Sequence, residues 1–164
     1  MKSIAVALSS LLLVACSVLQ EPLPKGYTGP TAELVDSGFR EDHAKAQIFA
    51  ATEIDGRPIK NAIIDTRRAS EGQGFTVSPT PTQRAIPTQP IKVMIEGTHQ
   101  TGAPIHEIAS RAAGTFFSVE GVVDFKPEAG KRYVVKGELK KEGSAVWIEE
   151  LDTGKVVTEK VVAK

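Results

Sequence analysis
The chain has 164 residues, with 20 basic and 20 acidic side chains, three histidines and one cysteine. That length holds one domain with a single core, burying roughly two-thirds of the surface its unfolded chain exposes. Balanced charge leaves no field of one sign to gather nucleic acid or to press the body of the protein onto anionic lipid, and a lone cysteine excludes an intrachain disulfide.

Met1-Lys2 is a short positive segment, and the apolar run from Ile4 to Ala15 is interrupted only by Ser9-Ser10. These twelve residues are too few to cross a bilayer, which takes about twenty, so residues 1–15 read as a signal peptide. The run ends in Leu13-Val14-Ala15-Cys16, which resembles the lipobox of bacterial lipoproteins, where a small residue precedes a cysteine that is lipidated and becomes the first residue of the mature chain. An ordinary secretory signal is the alternative, because Val14-Ala15 also puts a small residue near a cleavage point. The lipoprotein resemblance implies acyl chains on Cys16, each buried methylene contributing about 0.8 kcal/mol to membrane retention. It also implies a cell-envelope location. Ser17 stands where lipoproteins retained in the inner membrane often carry Asp, so the implied site is the outer membrane, facing the periplasm. Cleavage before Cys16 removes Lys2 and leaves a formal charge of −1.

Residues 16–30 hold the lipidated cysteine followed by Pro22, Pro24 and Pro30 with Gly26 and Gly29, without hydrophobic periodicity. They read as a tether reaching roughly 20 Å when coiled and about 43 Å when extended. Residues 31–164 form the single domain. Ala32 with Leu34-Val35 makes a first strand stopped by Asp36-Ser37-Gly38. Ala46 to Ile54 runs into Asp55-Gly56, a strong hairpin signal, with Pro58-Ile59 starting the return arm. Helix competes over that stretch, and the Asp-Gly turn favours strand. Asn61 to Ala69 fits a short helix capped by Asn61 as well as it fits a strand.

Ser78 to Pro90 contains four prolines, which forbids a central strand and predicts a long loop or a broken edge strand. Ile91 to Glu96 alternates, placing Ile91, Val93 and Ile95 on one face and Lys92, Met94 and Glu96 on the other. Pro104 to Ala113 recurs at helical spacing through Ile105, Ile108, Ala109 and Ala112, with a strand as the alternative. Phe116 to Phe125, Arg132 to Leu139, Ala145 to Leu151 and Val156 to Val162 are strand-prone and separated by turns, the last three as a meander. The expected fold is mainly β: an antiparallel β-sandwich, immunoglobulin-like or related, of about seven strands with at most two short helices. Pro127 to Val135 looks like the proline-glycine-tyrosine lead-in to a late strand of fibronectin type III and other immunoglobulin-like sandwiches. The whole arrangement is similar to small proteobacterial envelope lipoproteins.

Catalytic motifs do not emerge. His43, His99 and His106 lack the two- to four-residue spacing that lets neighbours share a metal. There is no Gly-x-Ser-x-Gly, Ser-x-x-Lys or His-Glu-x-x-His, and Gly72-x-Gly74 lacks the rest of a phosphate loop. Glu149 and Glu150 point to opposite faces of a strand and cannot flank one bond. No metal or cofactor is expected, nor a catalytic residue. Arg67, Arg68, Arg84 and Trp147 are candidates for a partner surface. Trp147 is exposed if Val146 and Ile148 face the core; the opposite register, which buries it, is favoured because large aromatics anchor small cores.

The expected function is a non-catalytic, membrane-anchored envelope lipoprotein that binds or scaffolds an envelope protein or glycan. The alternatives are a hydrolase, which needs the Glu71–Gly74 turn and the proline-rich loop to converge near a histidine, and an inhibitor or sensor presenting the 70–90 loop.

Overall fold
β-branched and aromatic residues alternate along most of the chain between Gly, Pro and Asp turns. The computed structural model, which describes residues 18–163, is accordingly built mainly of strands. The expected signal peptide and Cys16 lie outside the described residues. In chain order the elements are β1 (Thr31–Val35), β2 (Ser37–Arg40), β3 (Lys45–Ile54), β4 (Arg57–Pro58), α1 (Ala62–Ser70), β5 (Gln83–Pro87), β6 (Ile91–Thr101), α2 (Pro104–Ala112), β7 (Ser118–Phe125), β8 (Arg132–Glu138), β9 (Ala145–Glu150) and β10 (Val161–Val162).

They form two sheets, β10-β9-β8-β1-β5 and β2-β3-β6-β7, with β4 paired to β3. All pairings are antiparallel except β1 with β8. β1 and β2 are one extended run that changes sheet at Asp36. Their inner faces share a core: Leu34, Ile86, Tyr133, Val135, Val146 and Ile148 meet Phe49, Ile54, Val93, Ile95, Val123 and Phe125. Each such side chain contributes about 1.5–3 kcal/mol on burial. Two strand glycines admit the Phe49 ring, since a Cβ on Gly97 would lie 2.9 Å from it and one on Gly137 2.5 Å. The opposite face of β3 carries Ala46, Ile48 and Ala50, which pack with Ala62 of α1 and Val77.

At Asp36 the chain crosses between sheets, and its buried carboxylate ties three elements. One oxygen accepts from the Ala51 amide of β3 (3.0 Å). The other accepts from Ala62 at the start of α1 (2.8 Å) and from the guanidinium of Arg84 on β5. Burial pushes the Asp36 carboxyl up, while Arg84 and the two amides pull against it. Every neighbour donates, so both oxygens act as acceptors and the group stands as a carboxylate.

Several expectations resolve in particular ways. Asp55-Gly56 turns the chain with positive φ at both residues, as a two-residue hairpin turn requires. Residues 62–70 and 104–112 are helical. The first is capped by the Asn61 side chain, which accepts from Ile63 and Ile64. β5 is the edge strand within the proline-rich stretch, its prolines at the end and outside. The Tyr133 hydroxyl accepts from the Glu128 amide (3.0 Å), closing the Pro127–Gly130 turn onto β8. The last expected strand is reduced: Val156 makes a single bridge to Glu149, and only Val161–Val162 pair with β9.

The segment after Val18 differs from the free tether expected. Gln20 bridges Ile59, and Arg57 donates to the carbonyl oxygens of Glu21 (3.1 Å) and Pro22 (3.2 Å). Extended backbone beside a strand return satisfies its polar groups there, which a solvated spacer would leave to water. No helix among the described residues is long and apolar enough to cross a membrane.

Candidate functional site
A concavity lies on the outer face of the second sheet. β6 alternation turns Ile95, Gly97 and His99 toward the first sheet, so Glu96, Thr98 and Gln100 face the other way. α1 and α2 flank this face and convert it into a cleft of about 580 Å³, within the usual size of small-ligand sites. α1 contributes Ile63, Arg67 and Ser70, followed by the Glu71–Gly74 turn; α2 contributes Pro104, Glu107 and Arg111, with Phe116 beyond it.

Several of these side chains are fixed by their neighbours. Arg111 lies over the Phe116 ring, 3.9 Å from its centroid, and its guanidinium donates to Glu107 (2.9 Å). Gln100 donates to the Ile63 carbonyl oxygen (2.9 Å), joining the floor to α1. Glu96 pairs in register with Ala50 and Glu120. Burial raises its carboxyl above the ordinary range, the Glu120 carboxylate raises it further, and Arg67 opposes both. The cleft thus offers two guanidinium groups, carboxylates, an amide and hydroxyls, with the Phe116 ring backing Arg111. This suits a polar ligand held by oriented hydrogen bonds, with a planar group against the Arg111 guanidinium.

α2 is inverted relative to an ordinary surface helix. It forms with the expected spacing, but Ile105 (60% exposed) and Ile108 (64%) point to solvent. Its polar side, Glu107 and Arg111, lines the cleft. Phe75 is also exposed and meets the His106 ring edge-on at 5.0 Å.

The three histidines occupy different surroundings. His99 is nearly inaccessible; its Nδ1 accepts from the Phe117 amide (2.9 Å), so Nε2 carries the hydrogen and donates to Glu41 (3.0 Å). Burial lowers its pKa against the opposing pull of Glu41. Burial would raise Glu41, but hydrogen bonds from Gln47 and His99 outweigh it and hold the carboxylate low. His99 therefore clamps β6 to the β2–β3 turn with both ring nitrogens engaged. His43 Nε2 lies 2.8 Å from Thr76 Oγ1 at the surface, and His106 Nε2 is buried without a partner. No group of three or more His, Cys, Asp or Glu among the described residues could hold a metal.

The proposed partner residues do not converge. Arg67 and Arg68 are exposed on α1, and only Arg67 lines the cleft. Arg84 is a correction: it is 7% exposed and paired with Asp36, so it holds the core rather than a partner. A buried guanidinium needs a counter-charge, and the one that supplies it lies 48 residues away in sequence. Trp147 is also corrected from the favoured buried register. Val146 and Ile148 are fully buried, and Trp147 is half-buried on the outer face of the first sheet. Its indole donates to Glu149 (3.1 Å), and Lys160 sits 4.0 Å from the ring centroid. Glu96, Glu107, Arg111 and Phe116 were not singled out from sequence. The alternation of β6 already put Glu96 outward, but nothing local shows that two helices enclose that face.

The Ser78–Thr82 stretch is held to α1. Its Ser78 and Thr80 amides donate to Ser70 Oγ and Thr66 Oγ1, and Thr82 Oγ1 donates to Asp65. Comparison of the chain with protein-family models, with curated proteins and with solved structures gives no match.

Proposed function
We propose that this chain is an envelope lipoprotein, anchored by acyl chains on Cys16 and facing the periplasm from the outer membrane. Its domain is an immunoglobulin-like β-sandwich that binds an envelope protein or glycan without catalysis. The observation that carries the binding reading is the α1–α2 cleft. A sheet face that would ordinarily be solvated is roofed by two helices, and its side chains of both signs are pre-set by hydrogen bonds. The non-catalytic reading is supported by His99, the histidine lining the cleft, whose two ring nitrogens are both engaged in holding structure and so are not free to exchange a proton with a ligand. The pinning of residues 78–82 to α1 favours the cleft over the 70–90 loop as the element that meets a partner.

The test is recovery of co-purifying components from membrane-extracted protein, comparing the unmodified chain with Arg67→Glu and with Thr98→Trp, which fills the cleft floor. Loss of a component in both variants supports the reading, and unchanged recovery overturns the cleft as the site. Hydrolysis of cell-wall polymer by the purified protein would overturn the non-catalytic reading. For the anchor, Cys16→Ser abolishes metabolic palmitate labelling; a processed, soluble and unlabelled product of the unmodified chain refutes it.

A further inference from the structure
The direction in which the N-terminal segment meets the domain, taken with its length, bears on how an anchored domain would stand. Gln20 and Ile59 form a parallel bridge, with the Gln20 amide donating to Pro58 O (2.8 Å). β4 leaves the Asp55-Gly56 turn antiparallel to β3, so progress from Arg57 to Ile59 runs from the turn toward the middle of the sheet. A segment parallel to it arrives from the same side: Val18 and Leu19 lie toward the Asp55-Gly56 pole and Gln20 away from it. Arg57, through its bonds to Glu21 and Pro22, fixes the continuation.

Only Ser17, Val18 and Leu19 separate Cys16 from Gln20. Four Cα steps span at most about 14 Å. β6 has eleven residues and runs from this pole to the α2 end, a rise of about 33 Å. A bilayer at Cys16 can therefore be met by the pole that holds Asp55-Gly56, but not by the end that carries α2. Val18 (75% exposed) and Leu19 are apolar and open to solvent at this point, which suits contact with the headgroup boundary. The pole itself is firm: Asp55 donates its amide to Lys92 O (2.8 Å) and accepts from the Lys92 amide (2.9 Å).

We infer that the domain stands on the lipid surface by its Asp55-Gly56 pole, with the α1–α2 cleft and the exposed Ile105–Ile108 face of α2 directed away from the anchoring bilayer. This orientation rests on the proposed anchor at Cys16. It replaces a domain floating on a long spacer with one seated close to the bilayer, and it leaves the apolar face of α2 uncovered by the lipid that holds the protein.

The experiment places a single tryptophan at either end. In a Trp147→Phe background, Gln89→Trp reports the near pole and Ala112→Trp the α2 end; both positions are exposed. Lys126→Trp, also exposed and next to Asp55 and Pro90 at this pole, repeats the near-pole measurement if Gln89→Trp does not fold. The lipidated protein extracted from membranes is reconstituted into phosphatidylethanolamine–phosphatidylglycerol vesicles containing headgroup-nitroxide lipid. Quenching at the near pole several-fold above that of Ala112→Trp supports the orientation; equal or reversed quenching overturns it. The same measurement on the full chain, with Cys16 coupled through a maleimide to a diacyl lipid, separates the two failures. Absence of palmitate in cells then refutes the anchor, whereas loss of the quenching difference with lipid attached at Cys16 refutes the orientation alone.

Discussion

Arg84→Met removes the guanidinium that faces Asp36 and keeps most of the side-chain volume. Asp36 is fully buried and Arg84 nearly so, leaving the carboxylate with only the Ala51 and Ala62 amides as donors. Removing one partner of a buried ion pair costs about 3–5 kcal/mol, against a total domain stability of about 5–15 kcal/mol. The melting temperature is expected to fall by on the order of 10 °C. The loss depends on pH in a definite direction. Burial already raises the Asp36 carboxyl, and without Arg84 the folded state holds its proton to higher pH still, while the unfolded chain releases it near pH 3.9. The folded state then binds more protons, so the variant loses stability as pH rises from about 4 through the folded pKa and regains it on acidification. Urea unfolding at several pH values, followed by circular dichroism, measures this, with exposed Arg68→Met as the control expected within about 0.5 kcal/mol. Equal losses for the two variants at neutral pH, or an Arg84→Met deficit that widens toward pH 4, would refute the reasoning.

His99→Gln addresses the second buried titratable group. Its folded pKa lies below the ordinary histidine value, so the unfolded chain takes up the extra proton first and stability falls as pH drops below about 6.5. The variant is expected to show a shallower decline over that interval in the same unfolding series; an unchanged slope means His99 is not its source. Gly137→Val places a Cβ 2.5 Å from both the Phe49 ring and the Ala145 carbonyl oxygen. Overpacking of this kind costs about 1–3 kcal/mol. Thermal unfolding of Gly137→Val unchanged from the native chain would contradict the tight seat of Phe49.

Residues whose conformation depends on their own neighbours in the chain were legible before any packing was known. The Asp55-Gly56 turn needs backbone at positive φ, and the alternation of Ile91, Val93 and Ile95 separates a core face from an outer one, whereas Asn61 offered a helix cap without excluding a strand. The prolines of Ser78 to Pro90 excluded a central strand and left a long loop or an edge strand, and the sheet order puts β5 at an edge. Each of these follows from sterics or hydrogen bonding within a few residues.

Tertiary structure decided everything that depended on which surface met which. Period-two alternation gives Trp147 one of two faces without saying which is inside, and the burial of Val146 and Ile148 settled it. The apolar spacing of residues 104–113 left helix and strand open; the segment folds as α2, and its direction follows from the polar floor of β6, leaving Ile105 and Ile108 in solvent. Arg84 resembled any other arginine in a proline-rich stretch until the sheet crossing at Asp36 set a buried carboxylate against it. The cleft is of the same kind. Glu96 stood on an outer strand face in the sequence, and only the placement of α1 and α2 over that face enclosed it with Arg67 and Arg111. Local backbone chemistry acts over a few residues and is written in their order, whereas burial and charge pairing act between segments that only the folded chain brings together.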